Sequence, residues 1–118
     1  MNPIFVYGTL KRGGRYHSYL AGQQFLTTAC TIAGHTLYQP ADYPAMVLDD
    51  TDRKGVTGEV WQVNAACLQA LDQLEGVHEH LYARKPVKLV PPHAELTVES
   101  YFYLRPVTGH PHLGSTWP

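Results

Sequence analysis

Apolar residues in this chain come in short bursts, each broken within a few positions by glycine, proline or a polar cluster. The first burst, Ile4-Phe5-Val6-Tyr7, stops at Gly8-Thr9 and predicts a buried strand over 3–7. A short helical turn is expected from His17 to Leu20, before Gly22. Residues 25–39 are rich in Thr, Ile, Phe and Tyr and interrupted by Gly34, which predicts two strand segments joined at a bend. Ala45–Leu48 reads as a short strand, Asp49–Gly55 as a polar turn cluster and Val56–Val63 as an alternating strand. The period then changes. Asn64 offers a capping oxygen, Leu68, Leu71 and Leu74 recur at helical spacing, and Gly76 is a natural stop. Two further strands are expected over 84–90 and 95–104, on either side of Pro91-Pro92, and the tail from Leu113 to Pro118 carries no secondary-structure signal. Many strands with one good helix predict a compact α+β domain.

Composition narrows the picture only slightly. A length of 118 residues suits one domain over 1–118 with one core. Formal net charge is −1, so no bulk field favours nucleic acid or an anionic membrane. No apolar stretch approaches the roughly 20 residues of a membrane span, and the N-terminus lacks a leader-like pattern, so a cytoplasmic protein is expected. Cys30 and Cys67 are expected as free thiols. An exposed Trp117 would be unusual, so it is expected to dock on the body or on a partner subunit.

Candidate chemistry concentrates at two places. After the first strand, Gly8 lets the backbone approach a ligand, loop amides can form an anion-binding concavity, and Lys11, Arg12 and Arg15 add charge. The same residues also suit a plain turn with a solvated basic rim. The second place is Glu75, in the last turn of the 64–75 helix. A carboxylate there faces the negative end of the helix dipole, against local preference. A solvated surface Glu paired with Arg84 is the competing reading, and Asp72, one turn earlier, reads as structural. His78-x-His80 and His110-x-His112 have a spacing able to ligate zinc, but no Cys neighbours them and no metal or other cofactor is expected. Cys67 lies mid-helix, where a core thiol is expected rather than a nucleophile.

Tyr7-Gly8-Thr9-Leu10-Lys11-Arg12-Gly13 resembles the signature loop of the γ-glutamylcyclotransferase-like (AIG2-like) family. Further segments resemble that family in the right order: Asp42-Tyr43-Pro44-Ala45-Met46-Val47, Val56-Thr57-Gly58-Glu59-Val60-Trp61, Leu71-Asp72-Gln73-Leu74-Glu75-Gly76 followed by Tyr82-Ala83-Arg84, and Tyr101-Phe102-Tyr103. The loop is most similar to that of the γ-glutamylamine cyclotransferase branch. The resemblance implies a small mixed β-barrel with flanking helices and a cavity at one end. It also implies an amine-releasing cyclisation of a γ-glutamyl compound to 5-oxoproline, with Glu75 as general acid/base. Tyr7, Gly8, Thr9 and Leu10 would bind substrate, with Tyr82, Arg84, Tyr101 and Tyr103 as further candidates. Each tyrosine has a competing reading as a half-buried aromatic with a satisfied hydroxyl, and Arg84 as a strand-edge ion pair. The expected partner is a small γ-glutamyl molecule, the expected state a monomer or weak homodimer. The alternative is a non-catalytic barrel that binds a small metabolite and keeps the loop and Glu75.

Overall fold

The opening apolar burst becomes the middle of the main sheet. In the computed structural model, which describes residues 2–118, strand β1 (Asn2–Val6) lies between β5 (Thr57–Val63) and β7 (Val98–Tyr103). It pairs antiparallel with β5, from Asn2↔Val63 to Val6↔Glu59, and parallel with β7 at Ile4↔Glu99. Strands β2 (Gln24–Cys30) and β6 (Tyr82–Val87) close the two edges, giving the order β2-β5-β1-β7-β6. A second, three-stranded sheet has the order β4-β3-β8, from β3 (His35–Tyr38), β4 (Ala45–Leu48) and β8 (His112–Gly114).

The unbroken run at Ile4–Tyr7 follows from burial on both faces. Successive side chains of a strand point opposite ways. Ile4 and Val6 pack with Trp61, Val63, Cys67 and Leu71 beneath helix α1 (Ala65–Leu74). Phe5 and Tyr7 pack with Leu37, Met46, Val87 and Phe102 against the second sheet. Two core clusters therefore share β1 as their common wall.

The periodic segment after β5 forms α1 as expected. Asn64 caps it, its side-chain oxygen accepting from the Cys67 amide at 2.8 Å. Leu71 is fully buried beneath it. At the far end Gly76 takes φ 64°, a left-handed conformation that glycine adopts cheaply, and the chain turns into a 3₁₀ turn, Val77–Glu79, before β6. A second 3₁₀ turn, His17–Leu20, stands where the helical turn was expected.

Three expectations change. The strands form two sheets and not one closed hydrogen-bonded barrel, although the fold is α+β with mixed pairing. The strands around Pro91-Pro92 are displaced: β6 begins at Tyr82 and ends at Val87, and β7 begins only at Val98. The tail is ordered, since β8 pairs with β3 at Leu37↔Gly114 and Tyr38↔His112, and the Thr57 amide donates to the Ser115 carbonyl at 2.9 Å. Trp117 packs on the second core cluster of its own chain. Such docking contacts lie between residues far apart in sequence, which local pattern does not register. Cys30 and Cys67 are both free. Among the described residues no helix is long and apolar enough to cross a membrane.

Candidate active site

The end of β1, the end of α1 and the start of β4 meet around a small cavity of about 30 Å³. Its wall includes Tyr7, Gly8, Thr9 and Leu10 from the loop, Tyr43 and Pro44, and Glu75, Tyr82 and Tyr101. A wider cleft of about 220 Å³ shares Thr9, Tyr43, Glu75 and Tyr82 with it and adds Tyr16, Asp42, Leu74 and Leu81. Larger depressions on the surface are open and hold no comparable set of groups facing one another.

Glu75 sits at the boundary between the two. It is the C-cap of α1, its amide donating back to the Leu71 and Gln73 carbonyls. Its side chain is partly buried, and among the described residues no hydrogen bond or ion pair engages its carboxylate. Burial pushes its pKa from about 4.5 up to about 7. Desolvation is the cause; pairing with Arg84, the competing expectation, does not occur.

Arg84 is turned elsewhere. Its Nε and Nη2 donate to the two Asp72 carboxylate oxygens at 2.9 and 3.1 Å, and its Nη1 to Glu99 Oε1 at 2.6 Å. It does not line the cavity, so the structure favours the strand-edge ion pair among the readings of Arg84. The Tyr101 hydroxyl completes that cluster by donating to Asp72 Oδ1 at 2.7 Å.

Three of the tyrosines that line the cavity, Tyr7, Tyr82 and Tyr101, have committed hydroxyls. Tyr7 donates to the Tyr101 carbonyl at 2.7 Å and accepts from the Met46 amide at 3.3 Å. Tyr82 donates to the Pro44 carbonyl at 2.8 Å. Burial drives the pKa values of both upward, with the nearby Glu75 charge adding to it, so they stay protonated. Tyr103 stacks edge-on against Tyr82 with centroids 5.2 Å apart, outside the lining of the inner cavity. Tyr7, Tyr43, Tyr82 and Tyr101 shape the wall.

The loop differs from expectation in how it works. A Cβ on Gly8 would collide with Pro44 Cγ and Cδ, so the absent side chain makes room for Pro44, which forms the cavity wall opposite. The three basic side chains fasten the loop down. Lys11 Nζ donates to the Trp117 carbonyl at 2.8 Å, and Arg15 pairs with Asp42. Arg12 pairs with Glu59 at 3.0 Å while lying 4.0 Å over the Phe25 ring. None of them lines the inner cavity. The loop's own hydrogen bonds use the amides of Lys11, Gly14 and Tyr16, and among the described residues the amides of Gly8, Thr9 and Leu10 donate to no protein acceptor. Those three amides are the loop's unpaired donors.

Of the histidines, His112 bonds Thr36 Oγ1 at 2.7 Å, and His78, His80 and His110 are exposed. Among the described residues no three His, Cys, Asp or Glu side chains gather as a metal-binding group. Residue-by-residue reading of the sequence does not single out Tyr43 as a wall of the site, nor the Glu59 cluster, although both stand inside segments that carry the family likeness.

A family model described as "Gamma-glutamyl cyclotransferase, AIG2-like" matches residues 4–117. Over 75 residues the chain is 33% identical to the γ-L-glutamyl-butirosin B γ-glutamyl cyclotransferase of Niallia circulans, covering 64% of this chain and 46% of that protein. It is 35% identical over 83 residues to a γ-glutamylaminecyclotransferase of Rattus norvegicus, covering 64% of this chain and 56% of that one. The chain thus spans about half the length of these curated relatives. Among solved structures, an AIG2-like protein from Mus musculus superposes with a TM-score of 0.83 at 27% identity, covering 98% of this chain and 87% of that one. The protein ytfP of Escherichia coli superposes with a TM-score of 0.71 at 31% identity, covering 98% and 94%.

Proposed function

The chain belongs to the AIG2-like γ-glutamyl cyclotransferase family, and from that premise we propose that it cyclises γ-glutamylamines to 5-oxoproline with release of the amine. One observation carries the reading: Glu75 is a carboxylate without a hydrogen-bond or ionic partner at a cavity wall, where burial pushes its pKa up to about 7. A carboxylate near neutrality is a better proton acceptor than an ordinary Glu, yet it gives the proton back readily.

The substrate holds both nucleophile and electrophile. Folded against Glu75 across the inner cavity and the wider cleft, its α-ammonium gives a proton to the Glu75 carboxylate, and the freed nitrogen attacks its own γ-carbonyl carbon. Intramolecular attack removes most of the entropic barrier once the folded conformer is held. The carbonyl oxygen becomes an oxyanion, for which the unpaired amides of Gly8, Thr9 and Leu10 are suitable donors. The bond from that carbon to the amine nitrogen then breaks. Over the turnover two protons cross from the attacking nitrogen to the departing one, with Glu75 as carrier. The products are 5-oxoproline and an ammonium.

The outer cleft supports an amine over an amino acid as leaving group. Its lining has Tyr16, Tyr43 and two leucines beside Thr9, Asp42, Glu75 and Tyr82, and the guanidinium at its edge, Arg15, is already paired with Asp42 and so less available to an α-carboxylate. The test is to incubate the protein with γ-glutamyl alkylamines, diamines and amino acids and to measure 5-oxoproline. Turnover of the amines above the amino acids is expected. Tight 5-oxoproline binding with no turnover of any of them would leave a metabolite-binding protein instead.

A further inference from the structure

Helix α1 carries two carboxylates on its final turn, and the molecule treats them differently. Asp72 is gripped by Arg84 through a two-point fork of 2.9 and 3.1 Å, and its Oδ1 also receives the Tyr101 hydroxyl at 2.7 Å. Arg84 stands on β6, Tyr101 on β7, and Arg84 reaches on to Glu99 of β7 at 2.6 Å. The last turn of α1 is therefore tied to two strands through one side chain. Tyr101 is almost fully buried and lines the cavity, and its carbonyl holds the Tyr7 hydroxyl of the loop. Glu75, one turn on, is held among the described residues by no side-chain hydrogen bond or ion pair of its own, so its position depends on where that turn is fixed.

We infer that Arg84 and Asp72 are a positioning pair for Glu75: the fork fixes the end of α1 against β6 and β7, and the guanidinium neutralises the other carboxylate of the helix. The inference rests on Glu75 being the proton carrier. The groups facing Glu75 are the phenols of Tyr7, Tyr16, Tyr43, Tyr82 and Tyr101 and, across the outer cleft, the Asp42 carboxylate, which Arg15 pairs with; on its own element the other negative charge is that of Asp72. With Arg84 in place that charge is offset. Without it, an uncompensated Asp72 disfavours the Glu75 carboxylate, because like charges disfavour ionisation. A Lys at 84 keeps the charge but loses the planar fork.

The experiment follows the Glu75 side-chain carboxyl by carbon NMR across pH, its signal assigned with Glu75→Gln, alongside kcat and KM for a γ-glutamylamine. Arg84→Met should raise the Glu75 midpoint by about one pH unit, and Arg84→Met/Asp72→Asn should return it toward the wild-type value. Arg84→Lys should keep the midpoint but lower kcat about tenfold or more, with KM changed by less than about threefold, since misplacement of the carrier acts on the chemical step. An unmoved midpoint in folded Arg84→Met overturns the inference, and so does wild-type kcat in Arg84→Lys, the variant that decides if Arg84→Met does not fold. Turnover surviving in Glu75→Gln would remove the carrier role itself, while the titration would still report whether the pair governs Glu75.

Discussion

Glu59 and Glu75 bring the same side chain into the interior at two places and meet opposite surroundings. Glu59, on β5, is 7% exposed and receives the Trp61 Nε1 and the Arg12 amide at 3.1 Å each, and the Arg12 Nε at 3.0 Å. Desolvation alone would raise its pKa, but those donors outweigh it and hold the carboxyl below its usual value of about 4.5. Glu75 is desolvated too but has no donor to offset it, so its value climbs to about 7. Satisfied donors make a buried carboxylate an anchor, here for the loop that follows β1. Their absence leaves it available for proton transfer.

The largest effect expected from breaking the contrast is at Glu75. Glu75→Gln keeps size and hydrogen-bonding reach but cannot carry a proton. Loss of a general acid/base removes about 10²–10⁴-fold in rate, so turnover should fall by that factor while 5-oxoproline affinity changes only a few-fold. Paired turnover and calorimetric titration check this, and wild-type turnover would eliminate the mechanism.

Glu59→Ala should act on stability instead. It strands the Trp61 N–H and the Arg12 amide, at a cost of about 1–3 kcal/mol in urea unfolding at neutral pH. A depressed folded pKa means that the stabilising contribution is present above the ordinary value and lost as pH falls through the lower folded value. The variant's deficit should therefore shrink under strongly acid conditions. A deficit that grows with acidity would contradict the assignment.

Gly8→Ala probes the wall shared by the loop and Pro44. The new Cβ must displace the ring that it collides with, and overpacking of this kind costs about 1–3 kcal/mol. Pro44 also holds the Tyr82 hydroxyl through its carbonyl, so 5-oxoproline affinity should fall as well. A melting temperature and an affinity both unchanged would show that the contact is dispensable.

The last effect reverses the sign seen at Glu59. With its folded pKa raised, Glu75 favours the protonated fold, and stability is lost as pH rises from about 4.5 through about 7. Glu75→Gln removes that loss. It should stabilise the protein by up to about 3 kcal/mol at pH 8.5 and by almost nothing at pH 4. Equal stabilisation at both values would mean that burial does not perturb this carboxyl.

Local pattern determined a good part of this molecule. The apolar run at Ile4–Tyr7, the Asn64 cap, the leucine spacing and the stop at Gly76 each depend on neighbours within a turn or a strand, so the sequence alone predicted β1 and α1 and placed Glu75 at a helix end. The family resemblance of the loop and of the Leu-Asp-x-x-Glu segment pointed to the same two places, and the family is the one found. What Glu75 became there was decided elsewhere. Arg84 chose Asp72 and Glu99 over Glu75, Arg12 chose Glu59 over a ligand, Gly8 made room for Pro44, and Trp117 closed onto the core. Each is a choice between partners distant in the chain, settled by which groups the two sheets and the helix bring within about 3 Å, the reach of a hydrogen bond. Sequence spacing fixes which face a residue occupies, and only packing fixes whether a charge on that face finds its counter-charge.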